Sequence, residues 1–272
     1  MKSTVFLCVE GDPRQAYVCE SLMAFGNVYI IGKDGSVPEN MPEKADVLVL
    51  PMMTGEEYDI DPAMVTSHLI SGGLVLGGRL SHGQKKLFSD MGFSAEDYFL
   101  RESLALKNAV PTAEGTLMTV MANTTGTVYQ SRILVLGYGR TGKSCARLFS
   151  AAGAYCTVAA RRPEILAQAW SEGHHTVHLS DIANSADSFD TIINTVPAVV
   201  LTEEILSCIQ KNCLIVDLAS MPGGTDFSAA ERLGIKAIHA LALPAKAAPA
   251  ASGRYIAETI IEMLEERGMT NC

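Results

Sequence analysis

A short apolar run, Arg132 to Leu136, breaks directly into Gly137-Tyr138-Gly139-Arg140-Thr141-Gly142 and then into a helical pattern reaching Ala152. Three glycines at this spacing are common by chance. Placed after a strand and at the head of a helix, they mark the turn of a βαβ unit that receives a dinucleotide. Gly137 permits the tight turn out of the strand. Gly139 has no side chain, so the backbone can approach a pyrophosphate, and Gly142 lets the helix pack close to the strand. The helix N-terminus offers its free N–H groups and positive dipole end to the phosphates. Tyr138, Arg140 and Thr141 belong to the same turn and are cofactor-binding candidates with the glycines.

The next strand, Cys156 to Ala160, decides which dinucleotide. An NAD site usually carries Asp or Glu at the end of this strand, where it meets the adenosine ribose. Here the chain reads Ala159-Ala160-Arg161-Arg162, with no carboxylate before Glu164. Arginine pairs with a 2′-phosphate, so the expected cofactor is NADP, with NAD as the other possibility. The competing reading has both arginines solvated at a strand end, or stacked on adenine and tolerant of both cofactors.

Strands continue at α/β spacing through Thr191–Thr195, Leu214–Leu218 and Ala237–Ala240, and an equivalent series precedes the motif. Thr4–Val9, Val28–Ile31, Asp46–Leu50 and Leu74–Leu76 read as strands, with a helical pattern from Arg14 to Phe25. Strands alternating with helices imply parallel sheets with crossover helices. The fold class is therefore α/β, with two Rossmann-like, doubly wound parallel-sheet domains and a cleft between them. The expected division is 1–108 for a substrate or partner domain, 109–130 for an interdomain helix or hinge, and 131–250 for the NADP-binding domain. A C-terminal helix in 251–272 packs back on the first domain.

Ligands of open α/β sheets bind at the carboxyl edge of the strands. That rule brings in Asn194, Thr195, Val196 and Pro197, then Leu218, Ala219 and Ser220, as further cofactor contacts. The loop Ala219 to Asp226 is rich in turn formers and small polar residues; Gly223 and Ser220 within it are substrate candidates, while Asp226 reads as a loop-shaping residue. Pro244, after the last strand, faces the same cleft. In the first half, Asp12 and Arg14 follow the first strand and are both substrate-binding candidates, Arg14 as a partner for a substrate carboxylate. Thr112 and Glu114 sit at the domain join and, with Arg14, are the catalytic candidates. Glu114 is a candidate proton acceptor, and an equally fair reading makes Thr112, Gly115 and Thr116 a helix entry.

Composition excludes several classes. With 272 residues and a net charge of −9, the chain has no electrostatic footprint for nucleic acid. Its seven cysteines form no C-x-x-C and read as small buried hydrophobes, and no metal site is expected. His174, His175 and His178 read as surface loop residues. The start of the chain reaches Glu10 too early for a signal peptide, and no run of ~20 apolar residues occurs, so a cytoplasmic protein without a membrane span is expected. No Ser–His–Asp or Cys–His arrangement is visible.

Several segments together resemble the dipicolinate synthase A-subunit family of spore-forming bacteria, the match covering nearly the whole length. They are Glu10-Gly11-Asp12 with Arg14 and Gln15, the stretch Val110 to Thr116, the glycine turn from Val135 to Gly142, and above all Asp217-Leu218-Ala219-Ser220-Met221-Pro222-Gly223-Gly224-Thr225-Asp226-Phe227. The resemblance implies an NADP-linked oxidoreductase. It would convert a dihydro- or hydroxy-tetrahydrodipicolinate from the lysine pathway to pyridine-2,6-dicarboxylate during sporulation, in the mother cell. The partner it implies is a second, flavoprotein-like B subunit; a homo-oligomer is also expected. One stretch departs from the family pattern, roughly L-P-G-x-x-A-P-x-T-A-G. Here Ala245 replaces a glycine and Ala251 a threonine, while Lys246 and Ser252 add polar groups. Two alternatives stand beside this reading: a non-catalytic NADP(H)-binding regulatory protein, and a D-2-hydroxyacid dehydrogenase-like enzyme. The second lacks its catalytic histidine here, since His239 lies inside a strand.

Overall fold

Parallel strands buried on both faces need near-continuous apolar runs, and the chain supplies them in two series. The computed structural model describes residues 3–32, 34–52 and 61–269. The first series comprises β1 (Thr4–Val9), α1 (Pro13–Leu22), β2 (Gly26–Ile31), β3 (Ala45–Met52), α2 (Pro62–Thr66), β4 (Leu69–Gly78), α3 (His82–Asp90) and β5 (Ser94–Asp97). A 22-residue helix, α4 (Glu102–Asn123), follows. The second series runs through β6 (Arg132–Leu136), α5 (Arg140–Ala151), β7 (Tyr155–Ala160), α6 (Pro163–Ser171), β8 (His175–His178) and β9 (Thr191–Asn194). It continues with α7 (Glu203–Ser207), β10 (Leu214–Asp217), α8 (Phe227–Arg232), β11 (Lys236–His239) and α9 (Leu243–Ala247), before α10 (Pro249–Glu266) ends the described chain.

Two compact units result. One holds residues 1–108 and 248–272, the other 109–247, so the first is built from both ends of the chain. Its five parallel strands lie in the order β2-β1-β3-β4-β5. The second has six parallel strands in the order β11-β10-β9-β6-β7-β8. Both orders are doubly wound. Strand order reverses between β1 and β3 in one unit and between β6 and β9 in the other, and a crevice opens at the carboxyl ends there.

The first unit shows why α10 returns to it. Ile256, Ile260, Met263 and Leu264 recur at helical spacing and are buried among Phe6, Cys8, Val18, Leu22, Tyr98 and Leu104. Gly253 makes the close approach possible, because a Cβ there would press on Tyr17 Cβ and the Arg14 carbonyl of α1. At the opposite face of α10, Arg101 donates to both oxygens of Glu266 at 2.8 and 2.7 Å. That exposed pair adds little beside the apolar contact.

Three sequence expectations need correction. Helix α4 starts at Glu102, so Thr112 and Gly115 lie well inside it and form no helix entry. Pro111 is accommodated within the helix. The histidine cluster is not a surface loop. His174 is buried, and His175–His178 is the edge strand β8, whose Thr176 and Val177 carry β propensity that the flanking polar residues hid. Strand β5, pairing with β4, was not anticipated.

Candidate nucleotide-binding site

The turn after β6 takes the shape its glycines require. Gly137 has φ +87°, and a Cβ there would lie 2.6 Å from Thr195 Oγ1 and 3.0 Å from Val196 Cγ2. The turn is therefore pressed against the end of β9, at the point where strand order reverses. A Cβ at Gly142 would run into the carbonyl oxygen of Gly137. Gly139 differs. It is the N-cap of α5, no side chain caps it, and no atom lies within 4 Å of where its Cβ would stand. Open space beside an uncapped helix N-terminus, whose first N–H groups have no acceptor inside the helix, is the form of a phosphate cradle. The residues present thus fit a dinucleotide.

Tyr138 contributes to this turn through its backbone. Its side chain is buried and donates a 2.7 Å hydrogen bond to Glu172 Oε2, with the His174 ring edge-on at 5.8 Å and Lys143 Nζ 5.5 Å from its centroid. Burial first, and the Glu172 carboxylate second, push the Tyr138 phenol well above its ordinary range. The same hydrogen bond lowers Glu172. Tyr138 therefore anchors the turn to α6.

At the end of β7, Arg161 and Arg162 are both exposed. Arg162 Nε stands 3.5 Å from Glu164 Oε1. Among the described residues the Arg161 guanidinium has no ion-pair partner, so it is the one available to an anion.

On the other side of the turn the edge is organised by a residue the sequence reading did not single out. Asp217 ends β10 opposite Asn194, which ends β9. Both are fully buried. Asp217 Oδ1 accepts from Asn194 Nδ2 and from the Ala219 N–H, each at 3.0 Å. Its Oδ2 accepts from the Gly224 N–H at 2.8 Å and Thr225 Oγ1 at 2.7 Å. One carboxylate thus folds the whole loop 218–225 back on the strand ends. The signal was present as an acidic residue inside an apolar strand, which is buried only when well partnered. Asn194 is engaged too: its Oδ1 accepts from Val196 N–H at 3.0 Å. Thr195 Oγ1 donates to the Leu136 carbonyl at 2.8 Å. The side chains of both tie the end of β9 to its neighbours.

The loop itself carries a cis Met221–Pro222 bond, Gly223 at φ +94°, and an exposed Ser220. His239, at the end of β11, donates through Nε2 to the Ala219 carbonyl at 2.7 Å and stacks on Phe227 at 5.2 Å. Asp226 caps α8 by accepting from Ala229 N–H. Val196 is half-buried and Pro197 exposed, giving the edge an apolar lip. Leu243, beside Pro244, is buried against Gly115 of α4, where a Cβ would lie 2.9 Å from Leu243 Cβ.

In the first unit, the switch point between β1 and β3 holds Asp12 and Arg14. Asp12 caps α1, and Arg14 is buried against it, its Nε donating to Oδ1 and Oδ2 at 3.0 and 3.1 Å and its Nη2 also to Oδ2. Thr112 and Glu114 do not converge. Residues two apart on a helix face different ways, and Glu114 is exposed while Thr112 is half-buried. Among the described residues no cluster of His, Cys, Asp and Glu is arranged to hold a metal, and no helix is long and apolar enough to cross a membrane.

Comparison with known proteins agrees with this geometry. Residues 112–241 match the model of the S-adenosyl-L-homocysteine hydrolase NAD-binding domain, which supports a nicotinamide dinucleotide as cofactor. The A subunit of Bacillus subtilis dipicolinate synthase is 40% identical over 168 residues, a segment that takes in 62% of this chain and 57% of that protein. The crystal structure of the Bacillus subtilis protein superposes with a TM-score of 0.85 at 29% identity, covering 98% of this chain and 97% of its own. The corresponding Bacillus halodurans structure gives 0.86 at 28% identity, covering 97% and 98%. A transhydrogenase from Sinorhizobium meliloti shares the fold, at a TM-score of 0.75 and 17% identity, over 98% of this chain and 94% of its own. By sequence identity and by fold, the chain is similar to the A subunits of these two dipicolinate synthases over the spans given.

Proposed function

We propose that this chain is the dehydrogenase subunit of a dipicolinate synthase. It oxidises a dihydro- or hydroxy-tetrahydrodipicolinate to pyridine-2,6-dicarboxylate with NADP⁺, in the mother-cell cytoplasm of a sporulating bacterium, beside a flavoprotein-like second subunit. The observation that carries the reading is the 40% identity to the A subunit of a dipicolinate synthase. The open cradle at Gly139 supports the cofactor, and the unpaired Arg161 supports the 2′-phosphate form.

When bound, the nicotinamide supplies a hydride acceptor. The chain's own residues position and orient. The turn from Gly137 to Gly142 holds the pyrophosphate by backbone N–H groups. Arg161 meets the 2′-phosphate. Asp217, by folding residues 218–225 onto the strand ends, presents the exposed Ser220 hydroxyl and the Gly223 backbone toward the reacting end. Arg14, fixed by Asp12, keeps its remaining N–H groups for a substrate carboxylate. Aromatisation of the ring makes the oxidation downhill, so placement contributes more than acid–base catalysis.

The test is turnover. Purified chain is mixed with NADP⁺ and with substrate made freshly from pyruvate and aspartate semialdehyde by dihydrodipicolinate synthase, with and without the second subunit. NADPH and dipicolinate appearing together support the proposal. Cofactor binding without turnover, even with the partner present, refutes it and leaves a nucleotide-binding protein.

A further inference from the structure

One face of the second sheet changes character toward the amino ends of its strands. Leu134 and Leu136 of β6, Ala159 of β7 and Val177 of β8 pack there with Ile182, Ala186 and Phe189. Side chains alternate between the two faces of a strand, so Arg132, Tyr155, Thr157 and His175 stand on this same face. The register sets Arg132 opposite Tyr155, and Thr157 opposite His175. Their cover is the pair of 3₁₀ turns Leu179–Asn184 and Ala186–Ser188. At this end the cover presents serines, which are too small to fill the space. A hollow of about 670 Å³ remains, and the four sheet residues, Ser185 and Phe189 are among those that line it.

The polar groups of the lining are unengaged. Asp190 accepts from the Arg132 backbone N–H at 2.7 Å, and among the described residues the Arg132 guanidinium has no ion-pair partner. Among the same residues no hydrogen bond occupies the Tyr155, Thr157 or Ser185 hydroxyl or the His175 ring. None of the described residues lining the hollow is an Asp or Glu. The lining therefore offers one fixed positive charge with hydroxyl and ring N–H donors, and no acid opposes an anion. The Tyr155 and Phe189 rings add flat apolar wall.

We propose that this hollow is a binding site for a small aromatic carboxylate, its charge held by Arg132 and its ring against Tyr155 and Phe189. The guanidinium fork matches a carboxylate bidentately. A free phosphate would use the arginine and leave the aromatic wall in water. The site is separate from the dinucleotide turn. Arg132 begins β6 and Gly137 follows it, so roughly 16 Å of extended chain part the two. The inference stands on the lining alone and does not depend on the reaction proposed above.

The experiment is amide NMR of the full chain titrated with benzoate to about 10 mM, beside cyclohexanecarboxylate and inorganic phosphate. It is run on wild type, Arg132→Gln and Lys236→Gln. Lys236 is an exposed cation that begins β11 at the same edge of the sheet. Benzoate should shift the amides of residues 155–157, 175–177 and 185–189, with a Kd of about 1 mM. Arg132→Gln should weaken that binding about tenfold or more, the loss of charge-assisted hydrogen bonds, and Lys236→Gln less than about twofold. Unmoved amides elsewhere in Arg132→Gln show that the variant folds. Cyclohexanecarboxylate, equal in charge but not flat, should bind about threefold more weakly. Shifts confined to other residues, or none up to about 10 mM benzoate, overturn the proposal, as does equal affinity in wild type and Arg132→Gln. Phosphate moving these amides while benzoate leaves them still makes the hollow a bare anion site and overturns it too.

Discussion

Replacing Asp217 by asparagine tests how the carboxyl edge of the second sheet is held. The side chain is fully buried, and four donors converge on it: Asn194 Nδ2 and Ala219 N–H on one oxygen, Gly224 N–H and Thr225 Oγ1 on the other. Asparagine keeps the shape but turns one acceptor into a donor. The Thr225 hydroxyl can rotate to accept from the new amide, whereas the Gly224 N–H cannot. A hydrogen bond to a charged group contributes about 1.5–3 kcal/mol, and a buried donor left without a partner costs about 1–3 kcal/mol. Removing a buried charge offsets part of the loss. The net expectation is a destabilisation of about 2–4 kcal/mol, a fall in melting temperature of roughly 5–15 °C. Thr225→Val, which deletes one donor to the carboxylate and leaves the other three, should cost about 1.5–3 kcal/mol. Urea denaturation followed by circular dichroism measures both. A change below about 0.5 kcal/mol in Asp217→Asn would refute the claim that this carboxylate organises the loop.

Two glycine substitutions should part company. Gly139→Ala places a methyl in open space at φ −81° and should leave stability within about 0.5 kcal/mol while weakening dinucleotide affinity at least about tenfold; Gly142→Ala drives a Cβ into the Gly137 carbonyl and should lose about 1–3 kcal/mol as well, with thermal melts and fluorescence titration of NADPH distinguishing the two. Burial lowers the His174 imidazole from its ordinary range, against a smaller opposing pull from Glu172. The unfolded chain therefore binds a proton more readily than the folded one, so stability is full above the usual histidine range and falls as pH drops through it. Urea midpoints from about pH 8 to about pH 5.5 should show a decline that His174→Gln reduces, and equal slopes in the two proteins would contradict the assignment.

Much of this arrangement was legible in the chain because several local signals agreed. Strand β1 was placed residue for residue, and the glycine turn lies between β6 and α5 as expected, with Gly137 and Gly142 each answering a steric demand. The parallel architecture followed from apolar runs of strand length alternating with helices. What was missed has causes of three kinds. Strand β8 is an edge strand with two histidines, and its polar ends conceal a short β-branched centre. Helix α4 tolerates Pro111, so a residue that ordinarily breaks a helix hid its first two turns. The hydrogen bonds that Asn194 and Thr195 make to Asp217 and the Leu136 carbonyl were not foreseen, because the sequence shows that a polar residue ends a strand but not which neighbour it meets. Asp217 stood in plain view, yet its role depends on Gly224 and Thr225 returning to it in space.

The most direct test is a crystal structure of the chain with NADPH. The account predicts the pyrophosphate over Gly139 at the N-terminus of α5, and the 2′-phosphate against Arg161 at the end of β7. A dinucleotide bound elsewhere on the chain, or bound here with its 2′-phosphate turned away from Arg161, would contradict it.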